Sequence, residues 1–375
     1  MAQQRVLKAL EPLALGMPRT LFLLSSCKVK GGNYSTIARI RSHLVKHGHT
    51  CMLWDVAQLE ETGDINQVLE EHQVDLLIGI HAFRTGKLMK DSKVPYILIL
   101  GGTDVNEFCK NEDKMTVMTS AVNRAGCVIS FCDSLQKKAS ALWPNLPPSQ
   151  MTVITQAVIT KPSVFSLHRH LQDNNGICDS EDRHIFLLVG AVRAVKNPIY
   201  LMETFTELHR VNQKILYVII GPVSDERYYN EEFQPALQRS EGVVYIPGLL
   251  FEDTHKAMHQ CFALVNSSES EGMSLAILEA MQLNTPVLAR NIPGNSAVIQ
   301  DGQNGLLFST PQECGKKALR LLSDDTYRAQ LVFSAGEYVA VHHSLKQEEA
   351  AYVNIVQQIC KDDKDDGPIC VNGHR

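Results

Sequence analysis

The first half of the chain alternates short apolar runs with stretches whose apolar residues recur at helical spacing. Continuous apolar runs bounded by turn residues mark strands buried on both faces, and their alternation with helical patterns marks a parallel sheet with crossover helices. The runs at 21–25, 50–54, 75–80, 96–100, 127–131 and 152–155 predict six strands, with helices between them such as 34–46. The pattern breaks over residues 157–183, a mixed polar stretch holding Lys161, Pro162 and the turn residues Asn174, Asn175 and Gly176, with clustered acids. It restarts with HIFLLVG at 184–190, and further strands are predicted at 215–221, 243–246, 263–266, 286–290 and 306–308. The class is α/β, in two domains of similar type: 1–160, a linker at 161–183, 184–325, and returning helices with a charged tail at 326–375. Residues 343–359 carry apolar positions at helical spacing.

The stretch 261–294 places strand, loop, helix and carboxylates in a chemically useful order. An apolar run ending at Asn266 gives way to the polar turn 267–272, then to strong helix formers from Ser274 to Leu283. Asn284 tolerates the left-handed C-terminal position and Pro286 prevents resumption, so the helix is expected to stop there. The free N–H groups of Gly272, Met273, Ser274 and Leu275 and the helix dipole would face whatever sits beyond the strand's carboxyl end, which suits a diphosphate. Glu271 and Glu279 would be roughly 12 Å apart along a helix, with about 80° of net rotation. That span fits an extended nucleotide-sugar, with one carboxylate on sugar hydroxyls, the other on ribose, and the phosphates between them. On spacing alone, two glutamates around a helix are more often a solvated face.

The surrounding residues change that balance. The string SESEGMSLAILEAMQLNTPV at 268–287 resembles the E-x7-E signature of family 4 retaining glycosyltransferases of the GT-B fold. The similarity continues through NIPGN at 291–295 and DGQNGL at 301–306, and upstream through VGAVRAVKNP at 189–198. The resemblance implies two Rossmann-like domains facing a cleft, with a C-terminal helix crossing back to the first domain. It implies that Arg193 and Lys196 neutralise the donor diphosphate, that Glu271 holds the sugar and Glu279 the ribose, and that Gly190, Gly221, Gly248 and Leu249 line the nucleotide site, the last two within IPGLLF at 246–251. The family often has Arg directly after the first glycine, where this chain has Ala191, and Gly is common where this chain has Asn284.

In open α/β sheets the residues just after each strand form the ligand crevice. Gly31 and Gly32, in GGNYS, follow the first strand and open a helix, so they are candidates for backbone-first approach to a substrate; a plain turn is the alternative. They lack the G-x-G-x-x-G spacing of a dinucleotide fold. His81 follows the third strand and Thr103 and Asp104 the fourth; by resemblance His81 and Asp104 are nominated on the acceptor side, against packing as the plainer role of a lone His. HAFRTG at 81–86 and GGTDVN at 101–106 are similar to segments of bacterial selenosugar-forming relatives, which adds a thiol-like or small-molecule acceptor to lipid, glycan or protein. Asp133 reads as a helix cap.

Length and composition set the remaining bounds. At 375 residues the chain exceeds one ordinary core of about 150 residues. A formal charge of −5 with 21% charged residues points to no nucleic-acid groove, so phosphate binding falls to local cations. The ten cysteines are scattered without a C-x-x-C pair and read as reduced, packed thiols. No apolar run reaches the roughly 18 residues of a membrane span. Asn33 and Asn266 head formal glycosylation sequons, but a glycan at either would block the expected cleft, which favours the cytoplasm over secretion. The D-x-D within 362–366 lies in a charged tail, and His342 with His343 is too sparse for a metal, so no metal site and no cofactor are expected beyond the donor itself. The expected activity is transfer of a hexosyl group from a nucleoside-diphosphate sugar to an unassigned acceptor with retention, without metal; a nucleotide-sugar-binding protein lacking turnover is the alternative.

Overall fold

The computed structural model describes residues 17–27, 31–62, 64–177 and 182–365. Residues 178–181 of the expected linker, the tail from Asp366 onward, and Cys178 and Cys370 lie outside them.

The first sheet contains β1 (Thr20–Ser25), β2 (Thr50–Asp55), β3 (Leu76–Ile80), β4 (Tyr96–Ile99), β5 (Cys127–Ser130) and β6 (Met151–Val153), in the order β2-β1-β3-β4-β5-β6. The second contains β7 (His184–Val189), β8 (Ile215–Ile220), β9 (Val243–Ile246), β10 (Ala263–Asn266), β11 (Val287–Arg290) and β12 (Leu306–Phe308), in the order β12-β11-β10-β7-β8-β9. All five pairings in the second sheet are parallel. Helices cover the sheets, so strands such as Leu21 to Leu24 and Ile185 to Leu187 are wholly buried. That is why they read as unbroken apolar runs and not as alternating ones. Each fully buried Leu, Ile or Phe contributes about 1.5–3 kcal/mol. Phe205 of the helix Met202–Val211 stacks on Tyr217 of β8 with centroids 4.7 Å apart, fixing helix to sheet.

By internal contacts the chain divides into two compact units, the first of Met1–Ile99, Ser120–Cys127 and Glu349–Arg375, the second of Leu100–Thr119 and Val128–Glu348. Within the first unit, the C-terminal helix Leu345–Asp365 contributes its part from Glu349 onward, which meets residues near β1 and the helix Gly32–Lys46. Glu349 accepts from Lys46 Nζ at 2.8 Å and contacts His47 Nε2 at 2.8 Å, and the Cys360 carbonyl accepts from Arg19 at 3.4 Å. Among the described residues no helix is long and apolar enough to cross a membrane. The eight described cysteines are free thiols, six of them buried.

Each sheet reverses its strand order once, and ligand crevices of open α/β sheets lie at such points. In the first sheet β1 stands between β2 and β3, which selects the residues just after Ser25 and Ile80. In the second, β7 stands between β8 and β10, which selects the loops after Val189 and Asn266.

Candidate functional site

The loops after β7 and β10 meet side by side. Ser267 Oγ donates to the carbonyls of Lys196 and Asn197 at 3.0 and 2.9 Å, and the Glu269 N–H bonds the Val195 carbonyl at 2.9 Å. Behind the first loop, Gly221 packs so tightly on Gly190 that a Cβ at 221 would overlap the Gly190 carbonyl, so only glycine fits. Val192 then forms a bridge with Val223, leaving Arg193 extended at the start of the short helix Ala194–Lys196.

This framework places Lys196 Nζ 2.6 Å from Glu271 Oε1. The side chains are 22% and 10% exposed respectively, so the pair is shielded on most sides. Ser268 Oγ and Asn266 Nδ2 donate to the same Oε1 at 2.7 and 3.3 Å. Burial alone would raise the Glu271 carboxyl, but the Lys196 charge and the hydrogen bonds from Lys196, Ser268 and Asn266 outweigh it, and the group titrates below the ordinary carboxylate range. Arg193, half-buried in the same loop, forms no ion pair among the described residues.

A second polar layer supports the first. Asn266 Oδ1 accepts from the Ser268 N–H and from Asn295 Nδ2, both at 3.1 Å, while its Nδ2 also donates to Ser274 Oγ at 3.2 Å. The Asn266 amide is therefore buried and engaged, and is not a glycan acceptor in the folded chain. Gly294 closes the other side: a Cβ there would lie 2.7 Å from the Glu271 carbonyl carbon. The backbone at Gly102 likewise abuts Gly272.

The expected helix spans Leu275–Gln282 with Ser274 as its N-cap, and Asn284 adopts the left-handed conformation at φ 58°. Ser274 makes no capping hydrogen bond, since its Oγ faces Asn266. The first-turn N–H groups, Leu275 onward, are thus without a side-chain cap, as an anion-receiving helix start requires. Gly272 and Met273 form an irregular turn ahead of the helix, with Met273 buried. Glu279 is buried, its side chain 8% exposed, and its Oε1 lies 3.5 Å from His255 Nε2. Gly248 is exposed with φ 150° and Leu249 is half-buried beyond β9.

Within the first unit, His81 follows β3 with φ 89°, a conformation uncommon outside glycine, and is buried. Its carbonyl accepts from the Thr85 hydroxyl at 2.8 Å, which holds the turn. Backbone strain of this kind gathers at functional sites. The loop after β1 is tied to it by Arg84, which donates to Ser26 Oγ at 3.2 Å. Gly31 caps the helix Gly32–Lys46, and a Cβ on Gly32 would meet open space, so no packing demand explains that glycine.

Two expectations are corrected. Asp104 is fully buried and its Oδ2 accepts the Gly101 N–H at 2.8 Å, closing its own helix, so it does not face an acceptor as a free acid. Asp133 is not a cap: it is the first residue of the helix Asp133–Leu142, whose N-cap is Cys132. Residues not singled out from sequence include His255, Asn266 as a hydrogen-bonding residue, and Asn295. Among the described residues no group of three or more His, Cys, Asp or Glu is placed to hold a metal ion.

The family model described as Glycosyl transferases group 1 matches residues 176–336, the span that contains this site. A Xenopus tropicalis protein named glycosyltransferase 1 domain-containing protein 1 is 35% identical over 337 residues, covering 90% of this chain and 97% of that protein. Among solved structures, sucrose-phosphate synthase from Thermosynechococcus elongatus matches with a TM-score of 0.75 at 14% identity, over 92% of this chain and 100% of that one. Anabaena HepE, solved in complex with UDP and glucose, matches with a TM-score of 0.71 at 16% identity, over 92% and 100%. With its two Rossmann-like parallel sheets, this chain has the GT-B fold and belongs to the family of group 1 glycosyltransferases.

Proposed function

We propose that the protein transfers a hexosyl group from a nucleoside-diphosphate sugar to an acceptor with retention at the anomeric carbon, as a family 4 type enzyme that needs neither metal nor cofactor. The observation that carries this reading is the Lys196–Glu271 pair, 2.6 Å apart, with Arg193 in the same loop. Sugar transfer leaves negative charge on the departing diphosphate, and preorganised cations and helix N–H groups stabilise such charge most effectively in a shielded site. Arg193, Lys196 and the helix start at Ser274 and Leu275 take that role. Glu271 accepts from sugar hydroxyls and Glu279 from the ribose, while Gly190, Gly221, Gly248, Leu249, Gly272 and Met273 shape the nucleotide side. His81, Gly31 and Gly32 are assigned to the acceptor side, so that residues 1–160 select the acceptor and 184–325 bind the donor. A hexose nucleotide as donor is supported by the UDP and glucose bound to Anabaena HepE. The cytoplasm is the proposed compartment, since a reduced set of buried thiols suits it.

Thermal shift against UDP-, GDP- and ADP-sugars tests donor binding, because a ligand at a hundred times its dissociation constant adds about 2.7 kcal/mol. Slow hydrolysis of the stabilising donor, persisting in a chelator, is expected. No stabilisation by any of them overturns the reading; stabilisation without hydrolysis or transfer supports a binding protein instead; a strict manganese requirement removes the charge-neutralising role from Arg193 and Lys196.

A further inference from the structure

Glu279 has a buried neighbour with an uncommitted donor. His255, on the helix Phe251–Gln260, has a side chain only 1% exposed, and its Nε2 stands 3.5 Å from Glu279 Oε1. Among the described residues that nitrogen has no hydrogen-bond partner. The ring's other nitrogen is committed, because Nδ1 lies 3.0 Å from the backbone N–H of Lys161 and accepts from it. A neutral imidazole that accepts at Nδ1 carries its hydrogen at Nε2, so the donor is aimed at Glu279.

The ring's position is fixed on several sides. Phe251 meets it edge to face with centroids 4.2 Å apart. The segment supplying the Lys161 N–H is itself fastened to both helices: the Ser163 N–H bonds the Glu252 carbonyl at 3.1 Å, Ser163 Oγ bonds Asp253 at 2.5 Å, and Gln282 Nε2 bonds the Val158 carbonyl at 3.2 Å. The Nδ1 bond alone does not satisfy this ring, because a neutral imidazole that accepts there still carries an N–H at Nε2, and Glu279 Oε1 stands 3.5 Å from it. A buried donor left without an acceptor is costly, and a shift of a few tenths of an ångström by the Glu279 carboxylate would satisfy it.

We propose that His255 is a positioning residue for Glu279. Its Nε2–H orients the carboxylate so that the remaining lone pairs accept from the ribose hydroxyls of a bound nucleotide, and its Nδ1 anchors this orientation to the Lys161 backbone. The inference rests on the reading of Glu279 as a nucleotide ligand. Groups that orient a binding residue act through it, so their effect disappears when that residue is removed.

Two substitutions separate the two ring nitrogens. His255→Asn keeps an acceptor where Nδ1 stands but cannot reach Glu279; His255→Gln carries an amide N–H to the place of Nε2. Titration of UDP, GDP and ADP selects the nucleotide that the wild type binds best. For it, His255→Asn is expected to weaken binding about tenfold, His255→Gln to restore most of the loss, and His255→Asn to add nothing in a Glu279→Ala background. In the nucleotide-free protein, nitrogen NMR is expected to show the Nε2–H tautomer, with that resonance moving in Glu279→Gln. An Nδ1–H tautomer, wild-type affinity in His255→Asn, or His255→Gln as weak as His255→Asn overturns the proposal. If Glu279→Ala binds the nucleotide normally, both the ribose role of Glu279 and this proposal fail, whereas weakening by Glu279→Ala with none by His255→Asn removes His255 alone. Should His255→Asn not fold, His255→Gln and the resonance still decide, since an unmoved resonance sinks the contact.

Discussion

Lys196 Nζ and Glu271 Oε1 are 2.6 Å apart, which joins the cation assigned to the diphosphate and the carboxylate assigned to the sugar into one electrostatic unit. The hydrogen bonds to the Glu271 side chain converge on Oε1, from Lys196, Ser268 and Asn266; none reaches Oε2 among the described residues. One oxygen thus holds the loops together, and the other is left to accept from a hydroxyl. A diphosphate that draws on Lys196 would loosen its hold on Oε1, so binding of the phosphates and setting of the sugar contact are coupled.

Glu271→Gln is expected to lower stability at neutral pH by about 1.5–3 kcal/mol, the range for hydrogen bonds to a charged group. Because the folded carboxyl titrates below its unfolded value, its contribution is fully present above the unfolded pKa of about 4.3 and is lost as pH falls through the folded pKa. The gap between the wild type and Glu271→Gln should hold from pH 7 to about pH 5 and shrink below it. Glu241, Glu313 and Glu349 are also depressed, but they are common to both proteins and cancel. Urea unfolding across this range measures the gap; one that widens on acidification contradicts the assigned pairing.

Gly294→Ala places a Cβ 2.7 Å from the Glu271 carbonyl carbon and 2.9 Å from its Cβ, so the 271 backbone must move. A misplacement of about 1 Å at a reacting site costs up to a hundredfold in rate. Turnover is expected to fall by tenfold or more, with affinity for the free nucleoside diphosphate nearly unchanged, because the three atoms nearest the added Cβ all belong to Glu271. Steady-state rates and calorimetry of the variant test the split.

The strands and the donor-side order were legible because parallel strands buried on both faces are unbroken apolar runs, and because Asn284 and Pro286 end a helix by local backbone rules. What sequence could not show was pairing at a distance. Lys196 and Glu271 are 75 residues apart in the chain, and their local sequence points each toward a ligand with no sign that they also meet each other. Asn266 looked like the end of a strand or a glycosylation site, and its hydrogen bonds depend on Asn295 beyond the next strand. Asp104 is nominated by resemblance for the acceptor side and Asp133 reads as a cap; the structure instead puts Asp104 three residues after its N-cap Gly101, where its carboxylate closes its own helix, and starts the second helix at Asp133, one residue after its N-cap Cys132. His255 carried no signal, since neither its burial nor the Lys161 N–H beside it is local in sequence.

Asn266→Leu preserves size but removes the acceptor for the Ser268 N–H and for Asn295 Nδ2, and the donor to Glu271 and Ser274. Residues 266, 268 and 295 are all buried, and an unsatisfied buried group costs about 1–3 kcal/mol. The substitution should destabilise the protein by about 2–4 kcal/mol. Asn266→Asp keeps the acceptor oxygen but sets a second negative charge beside Glu271, so its penalty should be greatest at neutral pH and relax on acidification. Paired thermal unfolding at pH 7 and pH 5 distinguishes the two; equal loss at both pH values in Asn266→Asp would detach Asn266 from the Glu271 charge.

The assignment of the two ends of the donor makes the sharpest demand on Glu271 and Lys196. Glu271→Gln keeps the size and an acceptor oxygen while removing the charge, so turnover should fall tenfold or more, about 1.4 kcal/mol in the barrier, while the sugar-free nucleotide binds nearly as before. Lys196→Ala removes a charge that the diphosphate of both ligands would use, so it should weaken nucleotide and nucleotide-sugar together. It also leaves Glu271 buried without its cation, and breaking such a pair costs more than the pair contributes. Stability in Lys196→Ala should therefore drop further than in Glu271→Gln, and the double variant Lys196→Ala with Glu271→Gln should recover part of that loss. Affinities for the bare diphosphate and the full donor, measured alongside unfolding of all three variants, decide the matter: if Glu271→Gln weakens the bare nucleotide as much as the donor, Glu271 lies at the nucleotide end and the two glutamates exchange ends.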